Sequence, residues 1–176
     1  MDKATMYYRL KPYLAVSLIG MVAFCLYLVW NGSEDERINR RFSHLLGTCE
    51  IVVRRTPAQI EEQLIQISGY FTEDCKVQFV PGGGLLVGKD TVLDFSRNVL
   101  SDAHKINFIT TQREVKVAPD QIHAELRSMI MLKALTGKDD ELTRGTAYCQ
   151  VFWIKRGKEW KIEQILLPLV QPPPFE

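Results

Sequence analysis

The chain has 176 residues, of which 46% are hydrophobic and 24% are charged. This composition provides enough apolar material for one domain of ordinary size and excludes a largely disordered chain. The 22 lysines and arginines nearly balance the 21 aspartates and glutamates, giving a formal charge of +1. Without a strongly basic surface, no nucleic-acid partner is expected.

The first predicted element is a membrane-spanning helix at residues 13–30. Its sequence, YLAVSLIGMVAFCLYLVW, contains 18 residues without a charge. A helix of this length spans roughly 27 Å, close to the hydrocarbon thickness of a bilayer. The alternatives are a buried core helix, which rarely lacks a polar face over such a length, and a cleaved signal peptide, whose small cleavage-site residues are missing. The pattern therefore favours an uncleaved anchor.

The flanking charges predict the orientation of this anchor. Three basic residues precede the span: Lys3, Arg9 and Lys11. The acidic stretch SEDE follows it directly, so the positive-inside rule keeps residues 1–12 in the cytoplasm and places the following domain outside the membrane, in a periplasm-like compartment. Three arginines after the span weaken this inference: Arg37, Arg40 and Arg41.

The cysteines of the exported part indicate neither a disulfide framework nor a metal site. Three cysteines follow the anchor: Cys49, Cys75 and Cys149. If two of them formed a disulfide in an oxidising compartment, the third would remain a free thiol. No C-x-x-C pair occurs among them, so no zinc site is predicted. We expect three partly buried thiols, and no metal or cofactor is predicted.

Helical patterns dominate the region after the anchor. The first helix is predicted to begin after Ser33, in a capping box with Glu36, and to run to about Arg54. The second begins after Thr56, with proline in its first position, and ends at Gly69.

The glycine-rich stretch GGGLLVGKD, residues 82–90, resembles a phosphate-binding loop. Gly83, Gly88 and Lys89 fit the G-x-x-x-x-G-K part of that motif. Asp90 stands where a magnesium-binding hydroxyl is needed, and its carboxylate would repel phosphates. We interpret Asp90 as the N-cap of a third helix and expect no nucleotide.

The remainder of the chain predicts an antiparallel sheet. A short strand, KVQFV, precedes the glycine-rich turn, and four consecutive strand-like segments follow the third helix: residues 110–118, 121–135, 143–156 and 159–169. Helices followed by a run of strands are typical of an α+β domain.

This order of elements resembles the nuclear transport factor 2-like superfamily. The resemblance covers residues 35–168 and rests on YFTED (70–74), GKD (88–90) and WKI (160–162). It implies a cone of three helices packed on a curved, mostly antiparallel sheet, which we assign to residues 31–170, with a Pro-rich tail at 171–176. These short motifs specify turns and core contacts rather than chemistry.

The candidate ligand-binding residues are Tyr70, His123, Glu125 and Arg127. Enzymes of the superfamily, such as steroid isomerases and dehydratases, place an aspartate or an Asp-His pair inside the cone. Here the polar residues His123, Glu125 and Arg127 alternate with others and share one face of a strand. A solvated or interfacial ion pair between Glu125 and Arg127 is the simpler interpretation, and the sequence does not fix which face points inward. Catalytic residues remain unassigned.

Two function classes follow from these patterns. Apolar side chains occur on both faces of the strands MIMLKAL and AYCQVFWI, which predicts that a partner, such as a second copy or a membrane assembly, covers the outer face. We therefore favour a membrane-anchored, non-catalytic docking or dimerisation module. The alternative is a membrane-tethered enzyme or carrier that binds a small apolar ligand in the cone.

Overall fold

The computed structural model describes residues 20–21, 32–79, 83–137 and 141–167. The chain divides into two compact units, Met1–Glu36 and Arg37–Glu176, and the sheet belongs entirely to the second. The predicted N-terminus 1–12, the tail 171–176 and, apart from Gly20 and Met21, the predicted anchor 13–30 lie outside the described residues. No helix within the described ranges is long and apolar enough to cross a membrane.

The described part of the chain contains three helices and six strands in an α+β arrangement. In chain order they are α1 (Glu34–Cys49), α2 (Pro57–Ser68), β1 (Phe71–Gln78), β2 (Leu85–Val87), α3 (Lys89–Asp102), β3 (Ala103–Val117), β4 (His123–Thr136), β5 (Glu141–Arg156) and β6 (Glu159–Leu166). The strands form one mixed sheet in the order β2-β1-β6-β5-β4-β3. Strands β1 and β6 are parallel, and the other neighbouring pairs are antiparallel.

Helix α2 has the bounds and caps that its sequence predicts. The backbone N–H of Thr56 donates to Gln59 Oε1 at 2.9 Å, and the backbone N–H of Gln59 donates to Thr56 Oγ1 at 3.4 Å. This capping box satisfies two backbone donors at the start of the helix. Gly69 follows the last helical residue, Ser68, as expected.

The end of α1 and the start of α3 differ from the prediction. Helix α1 ends at Cys49 rather than near Arg54, and Val52 is 80% exposed although it fits the apolar repeat. Helix α3 begins at Lys89, so Asp90 lies in its first turn and is not the N-cap. Gly88 occupies the cap position with φ of +88°, a conformation that glycine adopts without a steric cost.

The core lies between the three helices and the inner face of the sheet. Side chains with 0 or 1% exposure fill it: Ile38, Ile51, Leu126, Val151, Trp153 and Ile162. The buried polar side chains of the described residues are Gln63, Thr72 and Ser128, so no described Asp, Glu, His, Lys or Arg side chain is buried. The space that a cone offers to a ligand is therefore occupied by apolar side chains at these positions.

Candidate functional site

The structure places His123, Glu125 and Arg127 on the outer face of the sheet, away from the helices. Their neighbours on β4, Ala124, Leu126 and Ser128, are at most 6% exposed and face the core. Because strand side chains alternate between faces, the three candidate residues point to the opposite side. They do not line the interior of the cone.

Glu125 and Arg127 form a hydrogen-bonded ion pair on this outer face. Arg127 Nε donates to Glu125 Oε1 at 2.7 Å, and Gln150 Nε2 on β5 donates to the same oxygen at 2.6 Å. The side chains of Arg127 and Glu125 are 14% and 22% exposed. The two charges are partly buried, so solvent screens their attraction less than it screens a fully exposed pair.

His123 pairs with an aspartate at the turn between β3 and β4. Its Nδ1 lies 2.6 Å from Asp120 Oδ2, while Asp120 Oδ1 accepts backbone N–H bonds from Ile122 at 2.8 Å and His123 at 3.0 Å. The His123 side chain, followed by the two backbone donors, lowers the pKa of Asp120 from 3.8 to about 2. Asp120 is therefore ionised at neutral pH and orients the imidazole.

A hollow of about 280 Å³ lies beside this turn on the outer face. Its lining includes Lys116, Pro119, His123, Glu125, Phe152 and Glu163. Two of the four predicted residues, His123 and Glu125, therefore meet at one concave site, and Arg127 supports it through Glu125. The surrounding strands β3, β4, β5 and β6 each contribute to the hollow or its edge.

Tyr70 does not belong to this site. It is 8% exposed and lies between α2 and β1, where its hydroxyl hydrogen-bonds to Nδ1 of His44 on α1. The guanidinium of Arg41 lies 4.9 Å from the centre of its ring. These contacts attach Tyr70 to α1 and give it a packing role.

Sequence reasoning missed several residues of the outer site. Pro119 and Asp120 are residues typical of a turn, and a histidine three positions after Asp120 is close enough along the chain to pair with it. Gln150, Phe152 and Glu163 come from other strands. The register of the sheet places Gln150 and Phe152 of β5 next to β4, and Glu163 of β6 lies one strand further away.

The other chemistry-bearing groups show no sign of a metal or redox centre in the described ranges. No group of three or more His, Cys, Asp or Glu side chains suited to a metal occurs there. Cys49, Cys75 and Cys149 are free thiols. Burial raises the pKa of Cys149 to about 12, which keeps its thiol protonated and unreactive.

Lys89 of the glycine-rich stretch has a structural partner. Its Nζ pairs with the carboxylate of Glu73 at the start of the sheet. The N–H of the preceding Gly88 donates to Cys75 O at 2.8 Å. Both groups therefore fasten the start of α3 to β1, which agrees with a structural interpretation of this motif.

Comparison with solved structures shows the same fold in several proteins. One is a candidate calcium/calmodulin-dependent protein kinase II association domain from Xanthomonas campestris, with a TM-score of 0.59 and 11% identity, covering 75% of this chain and 84% of that chain. A type 2 hexachlorocyclohexane dehydrochlorinase gives a TM-score of 0.58 with 15% identity, and the match covers 77% of this chain and 88% of that chain. A candidate scytalone dehydratase from Novosphingobium aromaticivorans gives a TM-score of 0.55 with 16% identity, and the match covers 76% of this chain and 85% of that chain.

At these identities the structural likeness establishes the fold alone. No curated protein sequence matches the chain significantly. A family model does match: the SnoaL-like domain aligns with residues 61–165, which is more than half of the chain. The chain therefore belongs to the SnoaL-like domain family.

Proposed function

We propose that this protein is a membrane-anchored assembly module whose SnoaL-like domain has no catalytic role and associates through the outer face of its sheet. One observation supports the proposal that the domain has no catalytic role: the described core buries no Asp, Glu, His, Lys or Arg side chain. Acid-base catalysis inside the cone requires such a group within reach of the substrate. A core of Leu126, Val151 and Trp153 provides packing instead.

The association surface is a strip of apolar side chains at the middle of the outer face. We define the outer strip as Ile109, Met129, Met131 and Tyr148. Ile109 lies opposite Met131 in the β3–β4 register, and Met129 lies opposite Tyr148 in the β4–β5 register. Ile109 is 38% exposed, and polar or charged rows flank the strip on both sides. An apolar centre with a polar rim is the usual anatomy of a protein interface.

The occupant that we propose for the outer strip is a second copy of this chain. The likeness to a protein named as a kinase association domain supports an assembly role for this fold. A self-complementary apolar strip also suits a two-fold dimer, in which each copy presents the same patch to the other. Methionine side chains adapt readily to such a surface.

The anchor and orientation predicted from the sequence belong to the same proposal. The uncharged residues 13–30 would hold the module in a membrane, with residues 1–12 in the cytoplasm and the domain outside. Alkaline carbonate washing of membranes tests this directly. Retention of the full chain in the membrane pellet is expected, and its release into the supernatant contradicts the anchor.

The alternative function is an enzyme or carrier that binds a small apolar ligand. Proteins of the same fold named as a dehydrochlorinase and a candidate scytalone dehydratase favour this alternative. It predicts that a ligand is retained in the core and that a core residue is required for turnover.

The decisive experiment measures dimer dissociation of the full chain in a mild non-ionic detergent. We expect Ile109→Lys to raise the dimer dissociation constant at least tenfold, because a lysine ammonium at the strip loses water on association, and tenfold equals about 1.4 kcal/mol. Sedimentation velocity over a concentration series measures the constant.

A matched control uses the same chemical change on another surface. Ile65 on α2 is 72% exposed, so Ile65→Lys should leave the dissociation constant unchanged. Equal dissociation constants for the two variants and the unmodified chain, or a chain that is monomeric throughout, would contradict association through the outer strip.

A further inference from the structure

We propose that the loop between α1 and α2 binds the surface of a membrane that contains anionic lipids. The loop is defined here as residues 50–56. Beyond the assembly role, the domain then has a membrane contact of its own, in addition to the proposed anchor at residues 13–30. Two properties of the loop support this assignment: its exposed apolar side chains and the positive charges that follow them.

The loop is fixed at both of its ends. After α1, the fully buried Ile51 pairs with Ile106 on β3: Ile51 N–H donates to Ile106 O at 3.0 Å, and Ile106 N–H donates to Ile51 O at 2.9 Å. Before α2, Thr56 closes the loop through its capping box with Gln59. Residues 52–55 are therefore held between two fixed points, so little conformational entropy is lost when they bind a surface.

Two adjacent valines form the apolar part of the loop. Val52 is 80% exposed and Val53 is 73% exposed, the two highest values among the exposed large hydrophobic side chains of the described residues. Neither is covered by the core, although both are as apolar as side chains that the core buries. Neighbouring exposed apolar side chains mark a surface that binds another apolar phase.

Two arginines follow the valines directly. Arg54 is exposed, and Arg55 Nη2 donates to Glu50 O at 2.9 Å, which keeps its guanidinium beside the loop. The carboxylate of Glu50 is directed towards β3, where its Oε1 accepts from Asn107 Nδ2 and from Phe108 N–H, both at 3.2 Å. The loop therefore presents two positive charges next to its valines.

A cleft of about 470 Å³ lies beside the loop. Its lining consists of the loop side chains Val52, Val53, Arg54 and Arg55 and the α2 side chains Gln59, Glu62, Gln63 and Gln66. Two arginines and one glutamate give this lining a net charge of +1. The exposed glutamines can donate hydrogen bonds to phosphate or carboxylate oxygens. The cleft therefore suits an anionic headgroup better than a cationic one.

A bilayer supplies both kinds of contact at once. Its anionic headgroups attract the arginines, and its hydrocarbon accepts valines that insert beneath the headgroups. A soluble phosphate would leave the valines in water, and an apolar protein surface would leave the arginines without counter-charges. Because the anchor of the proposed function keeps the loop near a bilayer, a weak contact suffices, and in this respect the site rests on that proposal.

The test places a fluorophore on the loop of the full chain. A Val53→Cys variant, in which Cys25 is replaced by serine, is labelled with a thiol-reactive nitrobenzoxadiazole. Burial raises the pKa of Cys49 and Cys149 to about 12 and also raises that of Cys75, so these thiols label slowly near neutral pH.

Vesicles are formed around the labelled chain by removing detergent. They consist of phosphatidylcholine alone or of an equal mixture of phosphatidylcholine and phosphatidylglycerol, each with a trace of nitroxide-labelled lipid that quenches a fluorophore in contact with the bilayer. Fluorescence lifetimes give the ratio of quenched to unquenched chains. This measurement does not require residues 13–30 to span the membrane.

We expect more quenching in the mixed vesicles than in phosphatidylcholine alone. Arg54→Gln should lower the ratio of quenched to unquenched chains about fivefold in the mixed vesicles, since each arginine at an anionic surface contributes about this factor. Val52→Asp should lower the ratio in both kinds of vesicle. Arg156→Gln is the matched control, because Arg156 is an exposed arginine at the end of β5, and it should leave the ratio unchanged.

A second label position shows whether the loop itself contacts the lipid. Ile122→Cys places the fluorophore at a 47% exposed position before β4. The loop instead pairs with Ile106, which lies opposite Ala134 on β4. The twelve residues from Ile122 to Ala134 correspond to roughly 40 Å along a strand. The label at Ile122→Cys should therefore remain unquenched.

Three results would overturn the proposal: no quenching of the loop label, equal quenching at the two label positions, or an unchanged ratio in folded Arg54→Gln. Circular dichroism checks that each variant is folded. Carbonate washing of the same vesicles shows separately whether the anchor holds. Failure of the loop contact is therefore distinguishable from failure of the anchor.

Discussion

Replacing Leu126 with alanine tests whether the core is filled as the structure indicates. Leu126 is fully buried on β4, opposite Val115 on β3 and Val151 on β5. Truncation removes buried methyl groups and leaves a cavity that these neighbours, held by the sheet, cannot close. We expect Leu126→Ala to lower the free energy of unfolding by about 3 to 5 kcal/mol.

Urea denaturation followed by circular dichroism measures this loss. With a slope of about 2 kcal/mol per molar urea, the unfolding midpoint should fall by about 1.5 to 2.5 M. Leu142→Ala is the matched control, since Leu142 is 50% exposed and its truncation should cost less than about 0.5 kcal/mol. A cost below about 1 kcal/mol for Leu126→Ala, with an unchanged slope, would refute a filled core.

Two further predictions concern titration and thiol reactivity. Because the folded-state pKa of Asp120 is about 2 rather than 3.8, its bonds contribute stability above pH 3.8 that is lost as the pH falls through about 2. A carboxyl NMR titration should give a midpoint near 2, and a midpoint near 3.8 would show that the pairing with His123 is absent. Cys149, with a pKa of about 12, should react with iodoacetamide at pH 8 far more slowly in the folded chain than in urea. Equal rates would place this thiol at the surface.

Local signals in the sequence predict some elements well. The bounds of α2 follow from its capping box and from Gly69, because these interactions lie within a few residues of each other. The α+β class also follows from the order of helices and strands. Among the described strands, β1 pairs in parallel with β6 and so joins the beginning of the domain to its end, and no local pattern reveals this pairing.

Other features depend on contacts that the sequence does not reveal. Val52 and Val53 continue the apolar repeat of α1, yet they lie after the helix and are 80% and 73% exposed. Gly88, rather than Asp90, is the N-cap of α3, because the backbone N–H of Gly88 donates to the carbonyl oxygen of Cys75 on β1. The backbone of Ile51, just after α1, pairs with Ile106 on β3, so at both positions a tertiary contact outweighs the local preference.

The orientation of β4 explains why the candidate site was only partly predictable. Alternation correctly groups Glu125 with Arg127, but both faces of the strand carry apolar residues, such as Met131 on one and Ile130 on the other. Hydrophobicity therefore does not identify the inner face. The hollow also requires Glu163, which a bulge in a distant strand brings into place.

Native mass spectrometry of the full chain, released from detergent micelles under gentle conditions, tests association most directly. The proposed assembly predicts a species at twice the 20.2 kDa mass of one chain, which Ile109→Lys shifts towards the single-chain mass and Ile65→Lys does not. A single-chain mass at all protein concentrations would contradict the central claim that the outer strip joins two copies.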